Sequence, residues 1–177
     1  MVIDEAYAEY ARGDDYLEAP DALRGHKGTW IVLRTFSKAW GLAGLRIGYG
    51  IVSDAALRDH LDRVRTPFNT NGAAQIAAIA ALGDEAHIEA ISALALSERQ
   101  RLAERLSAEG YRVIPSKGNF LFFDTGTSGT AVSEALLHHG VIVKPWKQPG
   151  YESFIRVSMG TVAENDHFLA ALATTRS

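Results

Sequence analysis

Apolar residues fall in short continuous runs early in the chain and at helical spacing in its middle. Val2-Ile3, closed by Asp4-Glu5, reads as the end of a buried strand with an acidic exit. A loop rich in Gly, Asp and Pro follows through Pro20, and Asp21–His26 predicts a short helix. T-W-I-V-L-R at 29–34 reads as a second buried strand. R-I-G-Y-G-I-V-S at 46–53 reads as a third, with glycines that let another backbone come close. Ser53 or Asp54 caps a helix through Arg65, with Leu57, Leu61 and Val64 on one face. T-P-F-N-T-N-G at 66–72 is turn chemistry, and Ala73–Leu82 predicts a small-sided, buried helix that Gly83-Asp84 breaks. A long helix runs from about Glu85 to Glu109 and stops at Gly110. Its apolar stripe is Ile88, Ile91, Ala95, Leu102 and Leu106; the charges from Glu98 to Arg105 read as a solvated face with helix-spaced ion pairs.

Beyond Gly110 the pattern changes to short strands and helices. Tyr111–Pro115, Asn119–Asp124, Val141–Val143 and Phe154–Met159 predict strands; Thr130–His139 and Val162–Thr174 predict helices. This is a compact α+β unit, so the expected division is residues 1–97 and 98–177, inside the long helix and without a linker. The first part looks like a doubly wound α/β sheet entered partway through. Three strands are too few to make a covered parallel sheet alone. The expectation is a C-terminal piece of something longer, or a sheet completed by another chain.

Composition narrows the function classes. The chain has 177 residues, a formal charge of −3 with mixed signs throughout, and no cysteine. The charge gives no footprint for nucleic acid or an anionic membrane. Disulfides, thiolate chemistry and cysteine-based metal sites are excluded. No apolar run reaches the length of a membrane span and the start has no secretory signal, so a cytoplasmic protein is expected.

The chemistry concentrates in T-F-S-K-A-W-G-L-A-G-L-R, residues 35–46. Lys38 stands at the mouth of a strand between Phe36 and Trp40, where desolvation costs free energy and nothing structural is gained. Either its ammonium has a partner, for which Asp4 is the candidate, or its amine is needed for chemistry. In open α/β sheets ligands bind beyond the carboxyl ends of strands. Asp4 and Lys38 each stand at such an end. Thr35, Ser37 and Arg46 add two hydroxyls and a guanidinium, an anion cradle beside an amine. An amine next to a bound phosphate suggests a Schiff base with a phosphorylated aldehyde. Pyridoxal 5′-phosphate uses such a lysine, with an acidic partner on its ring nitrogen.

V-I-D-E-A-Y-A-E-Y followed by R-T-F-S-K-A-W-G-L-A-G-L-R-I-G-Y closely resembles the pyridoxal-phosphate-dependent aminotransferases of fold type I, most of all the histidinol-phosphate aminotransferase branch. P-F-N-T-N, G-N-F-L-F-F and F-I-R-V-S-M-G-T fit the same family in order and spacing, so the resemblance covers essentially the whole chain. It implies part of a large, mostly parallel cofactor-binding domain plus a smaller α+β domain. It implies that Lys38 holds the cofactor and later moves the proton, that Asp4 pairs with the pyridine nitrogen, and that Tyr7 hydrogen-bonds the phenolic oxygen. Arg46, with Thr35 and Ser37, would bind the cofactor phosphate. Arg156 would reach the anionic group of a small amino or keto substrate, and Asn119 would line the same opening. The implied reaction is amino transfer between glutamate and a phosphorylated imidazole ketone in histidine biosynthesis, by a homodimer.

Members of the family continue upstream of the point matching Met1. That region supplies a glycine turn for the phosphate, a ring stacked on the pyridine, an asparagine and an arm to the partner subunit. Without it the expectation is weak cofactor binding, little turnover, and self-association or partial disorder over residues 1–70. Rival readings are an aromatic or broad-specificity aminotransferase, a phospho-amino-acid decarboxylase on the same scaffold, and a non-catalytic module binding a partner through its open sheet. His138-His139 reads as a helix terminus rather than a metal site, since adjacent helical residues diverge. Gly48-Tyr49-Gly50 lacks the following helix of a dinucleotide fingerprint. Ser37-Lys38 does not suit a hydrolase dyad, because neighbours on a turn rarely face each other.

Overall fold

The computed structural model describes residues 1–13 and 15–175. The chain divides into two compact units, Met1–Ser92 and Ala93–Ser177.

In the first unit β1 (Val2–Asp4), β2 (Ile31–Thr35) and β3 (Gly48–Val52) form a sheet in that order. β1 and β2 are parallel, with Asp4 opposite Leu33; β3 runs antiparallel to β2, with Tyr49 opposite Arg34. The sheet is therefore mixed. The β1–β2 connection carries two single-turn helices, α1 (Ala8–Ala11) and α2 (Ala19–Ala22). The second begins earlier than the sequence predicts, because Pro20 suits a first helical turn and the Glu5 carboxylate accepts the Ala19 N–H at 2.6 Å. One face of the sheet packs Val32 against Ala19 and Leu23, with Ile3, Trp30 and Ile51 around them. The Asp54 carboxylate caps α3 (Ala55–Val64), and Asn71 caps α4 (Gly72–Leu82). α4 departs from the expected burial: only Ala74 and Ala78 are buried, while Ile76 and Ile79 are 72% and 73% exposed. α5 (Glu85–Ala108) follows, and the division between the units falls within it.

The second unit is an antiparallel sheet in the order β4-β5-β7-β6: β4 (Arg112–Ile114), β5 (Phe120–Asp124), β6 (Lys144–Pro145) and β7 (Phe154–Ser158). α6 (Gly129–His138), α7 (Val162–Thr174) and the later turns of α5 cover one face. Leu102, Leu106, Leu121, Phe123, Leu136 and Ile155 form the centre of that core. Val141–Val143 is not a strand. Val143 is buried in the core, so its apolar pattern reflects packing; ladder pairing starts only at Lys144. Glu98, 4% exposed, accepts from Arg101 and from the Asn165 amide, tying α5 to α7. No helix among the described residues is long and apolar enough to cross a membrane.

The Arg101 hydrogen bonds hold the Glu98 carboxyl below its ordinary range, against the opposing effect of burial and with help from Asn165. A depressed folded-state value gives stability that is complete above the unfolded value, near 4.3, and lost as pH falls through the folded one. The thermal midpoint is expected to hold from about pH 7 to about pH 5 and to fall below about pH 4. Glu98→Gln is expected to make that acid limb shallower, as read by calorimetry across the range.

Candidate active site

The turn between β2 and β3 is built to present a lysine. Gly41 donates its N–H to the Lys38 carbonyl at 3.0 Å, and Leu42 donates to Phe36 at 2.8 Å. Gly41 has φ +71°, which only glycine adopts without strain. The Ala39 carbonyl accepts from His87 Nε2 at 3.0 Å, and Trp40 Nε1 donates to the buried Glu9 carboxylate at 3.0 Å. At Gly48, an added Cβ would stand 2.6 Å from the Arg34 carbonyl oxygen, so the strand beside Thr35 tolerates no side chain there.

Phe36 and Trp40 do not enclose the lysine. Phe36 is buried, its ring centre 5.7 Å from those of both Trp40 and Tyr49 in tilted arrangements, while Lys38 is exposed. Lys38 Nζ lies 5.4 Å from the centre of the Tyr7 ring. Asp4, Thr35, Ser37, Lys38 and Arg46 line one cleft of about 380 Å³, bordered also by Arg34. Arg46 has φ 54° and ψ 56°, a left-handed conformation that costs a non-glycine residue about 1 kcal/mol. In that conformation its guanidinium donates to the Ala43 carbonyl at 2.8 Å and to Ser37 Oγ at 3.3 Å. Thr35 Oγ1 accepts the Ser37 N–H at 3.0 Å. The Asp4 carboxylate accepts the Ala6 N–H at 2.9 Å.

The charges of this cleft do not neutralise one another. Among the described residues, Lys38 and Arg46 make no ion pair with a carboxylate, and Asp4 makes none with a cation. The Asp4–Lys38 salt bridge, the structural alternative for this pair, does not form. By contrast, a 670 Å³ groove in the second unit is lined by charges that pair internally, as Arg101 does with Asp166 and Arg105 with Glu109. The cleft suits a ligand with an anionic end for Arg46 and the two hydroxyls, a proton donor for Asp4, and a carbon that an amine can attack. That donor set fits pyridoxal phosphate.

Arg156 and Asn119 belong to the second unit. Arg156 lies on β7 opposite Phe122 and Lys144, its guanidinium 5.2 Å from the Phe120 ring centre. The Asn119 carbonyl accepts the Met159 N–H at 2.8 Å, an ordinary continuation of the β5–β7 ladder.

The sequence reading missed a buried network behind the cleft. The Glu5 carboxylate accepts from Tyr16, from the Ala19 N–H, and twice from Arg34. Arg34 also donates to Glu18 at 2.8 Å. Burial pushes the Glu5 carboxyl up, but the Ala19, Arg34 and Tyr16 hydrogen bonds outweigh it and hold it below its ordinary range. Burial and the bond to Glu5 push the Tyr16 hydroxyl up to about 12. An arginine inside the apolar run T-W-I-V-L-R was the available signal, since a charge in a half-buried strand requires a partner.

The family profile described as aminotransferase class I and II matches residues 1–172. The chain is 60% identical over 172 residues to histidinol-phosphate aminotransferase 3 of Rhizobium meliloti, covering 97% of this chain and 46% of that protein. It is 60% identical over 173 residues to histidinol-phosphate aminotransferase 1 of Mesorhizobium japonicum, covering 98% of this chain and 47% of that one. The chain thus spans about half the length of the curated relatives it matches. Among solved structures, it is similar to histidinol-phosphate aminotransferase from Sinorhizobium meliloti in complex with pyridoxal-5′-phosphate, with TM-score 0.81, 32% identity, and 98% and 47% of the two chains covered. The enzyme of the same name from Clostridium acetobutylicum matches with TM-score 0.88 and 27% identity, covering 98% and 53%. A match over nearly its whole length places this chain in the aminotransferase class I and II family.

Proposed function

We propose that this chain carries the lysine-bearing part of a pyridoxal-phosphate site. The whole protein then transfers an amino group between glutamate and a phosphorylated imidazole ketone, the reaction of histidinol-phosphate aminotransferases. The observation that carries the reading is the cleft in which Lys38, Arg46 and Asp4 converge without ion-pairing. The 60% identity to two proteins of that name supports the substrate.

Bound there, the cofactor supplies an electron-withdrawing ring that stabilises negative charge on the substrate's amino-bearing carbon. The chain's residues do the rest. Arg46, Ser37 and Thr35 would hold the phosphate; the guanidinium is already turned toward the Ser37 hydroxyl. Asp4, fixed by the Ala6 N–H, would pair with a protonated ring nitrogen and favour its charged form. Tyr7, beside Lys38, donates to the phenolic oxygen. Lys38, whose Nζ is the one amine lining the cleft, would be the group that holds the cofactor and that carries a proton to and from the substrate carbon. Arg156 takes the substrate's anionic group, with Asn119 near it. The whole protein acts as a cytoplasmic homodimer; exposed apolar side chains on α4 and at Phe68 support an interface in the first unit.

The test is chemical. The full chain is incubated with pyridoxal phosphate, reduced with borohydride, digested, and mapped by mass spectrometry. The expected result is one cofactor fixed on the peptide containing Lys38. Labelling spread over exposed lysines such as Lys27 and Lys147, with none favoured at Lys38, would sink the reading.

A further inference from the structure

The network around Glu5 and Arg34 stands immediately behind the cleft. Side chains alternate along a strand. On β2, Val32 and Arg34 point to the covered face, where Val32 is fully buried and the Arg34 side chain is only 10% exposed. Leu33 and Thr35 point the other way, to the cleft. The same holds across the end of β1: Asp4 lines the cleft, and Glu5 reaches back to Arg34. Glu5 is thus adjacent to the cleft residue Asp4, and Arg34, its side chain turned to Glu5, stands between Leu33 and Thr35 and itself borders the cleft.

Glu5 is held through both its backbone and its side chain. Its N–H donates to the Leu33 carbonyl at 2.9 Å, one step beyond the Asp4–Leu33 pairing. Both carboxylate oxygens are used: Oε1 by Tyr16 and Ala19, Oε2 by two nitrogens of Arg34. Arg34 Nη2, which donates to Glu5, also donates to Glu18 at 2.8 Å. β1, β2 and the loop entering α2 therefore meet at one carboxylate.

Stability alone is a poor account of such an arrangement. A buried ion pair roughly breaks even, because the cost of desolvating two charges offsets their attraction. What it supplies is direction, because Nε and Nη2 of the planar guanidinium converge on one carboxylate oxygen, Oε2, while Oε1 is held by Tyr16 and Ala19.

We propose that Glu5 and Arg34, seconded by Tyr16 and Glu18, are positioning residues that set where the Asp4 carboxylate stands relative to the Lys38 turn. The inference rests on the reading of the cleft given above. It goes further in assigning the second acidic residue of D-E-A-Y and the arginine of R-T-F-S-K to one device acting through Asp4.

The test isolates the Asp4 end of the ligand. Pyridoxal phosphate is compared with its carbocyclic analogue, in which the ring nitrogen is replaced by C–H. Both reach the phosphate cradle and Lys38; only the first gives Asp4 a partner. Apparent Kd values come from borohydride-trapped adduct at Lys38 as a function of ligand concentration, using the full chain. The native chain is expected to prefer pyridoxal phosphate by about tenfold or more. Glu5→Gln keeps an acceptor for Tyr16 and Ala19 but cannot neutralise Arg34, and is expected to bring the ratio close to one. Glu98→Gln breaks a comparable pair in the second unit and is expected to leave the ratio unchanged.

A Glu5→Gln chain that binds both ligands more weakly while keeping the native ratio would overturn the proposal and make the network a fold-stabilising feature. A native ratio of one would remove Asp4, and with it the purpose of the clamp. Absence of any Lys38 adduct in the native chain would instead strike the reading of the cleft itself. Arg34→Lys provides a second variant: it keeps the charge but loses the fork, and is expected to lower the ratio as Glu5→Gln does.

Discussion

Lys38→Ala is expected to abolish the borohydride-trapped cofactor adduct while leaving the fold's stability where it was. The two halves of that result come from different observations. Lys38 is exposed, makes no ion pair among the described residues, and has its Nζ 5.4 Å from the centre of the Tyr7 ring. Removing an exposed side chain without partners changes stability by about 0.5 kcal/mol or less. Had the ammonium balanced Asp4 in a buried pair, truncation would cost several kcal/mol. The adduct is another matter, because it requires an amine that can attack carbon. No other side chain in the cleft is one, since a guanidinium stays protonated and is no nucleophile. Lys38→Arg is therefore expected to fail as completely as Lys38→Ala, although it keeps the charge. Adduct is read by peptide mapping and stability by the urea midpoint. A midpoint that drops as the adduct disappears would return Lys38 to a structural role.

The parts of this site that were legible in the sequence share a physical property: each is local. The turn from Thr35 to Arg46 is one contiguous segment whose glycines, hydroxyls and cations all act within it. The hydrogen bonds Gly41 to Lys38 and Arg46 to Ser37 never leave it. Asp4 was legible because an acidic residue at a strand exit has one natural place to face. The clamp behind it was not, because Glu5 and Arg34 are 29 residues apart and neither announces its partner. The same limit explains α4. An alanine-rich helix looks buried by composition, yet which of its faces is covered depends on elements far away in the chain, and Ile76 and Ile79 stand in the open. Val141–Val143 failed differently: β-branched apolar residues serve a core equally well with or without a ladder partner, and pattern alone does not separate the two.

In the second unit the largest loss of stability is expected from Phe123→Ala, about 4 kcal/mol. Phe123 is fully buried on β5, opposite Val113 on β4 and Ile155 on β7. Its ring meets Tyr111 edge-on at 5.3 Å and Phe168 at 6.4 Å, joining the sheet to α7. Truncation removes the transfer free energy of the ring and leaves a cavity that strands on both sides and a helix above cannot close together. A unit of this size has a total stability on the order of 5–10 kcal/mol, so the loss is a large fraction of it. Phe120, on the same strand, provides the control. It is only partly buried and lies under the Arg156 guanidinium instead of in the core. Phe120→Ala is expected to cost about 1 kcal/mol, the scale of a lost cation–π contact and some apolar area. Urea denaturation followed by far-ultraviolet circular dichroism measures both. Equal losses at the two positions would mean that β5 does not present its alternate residues to opposite environments.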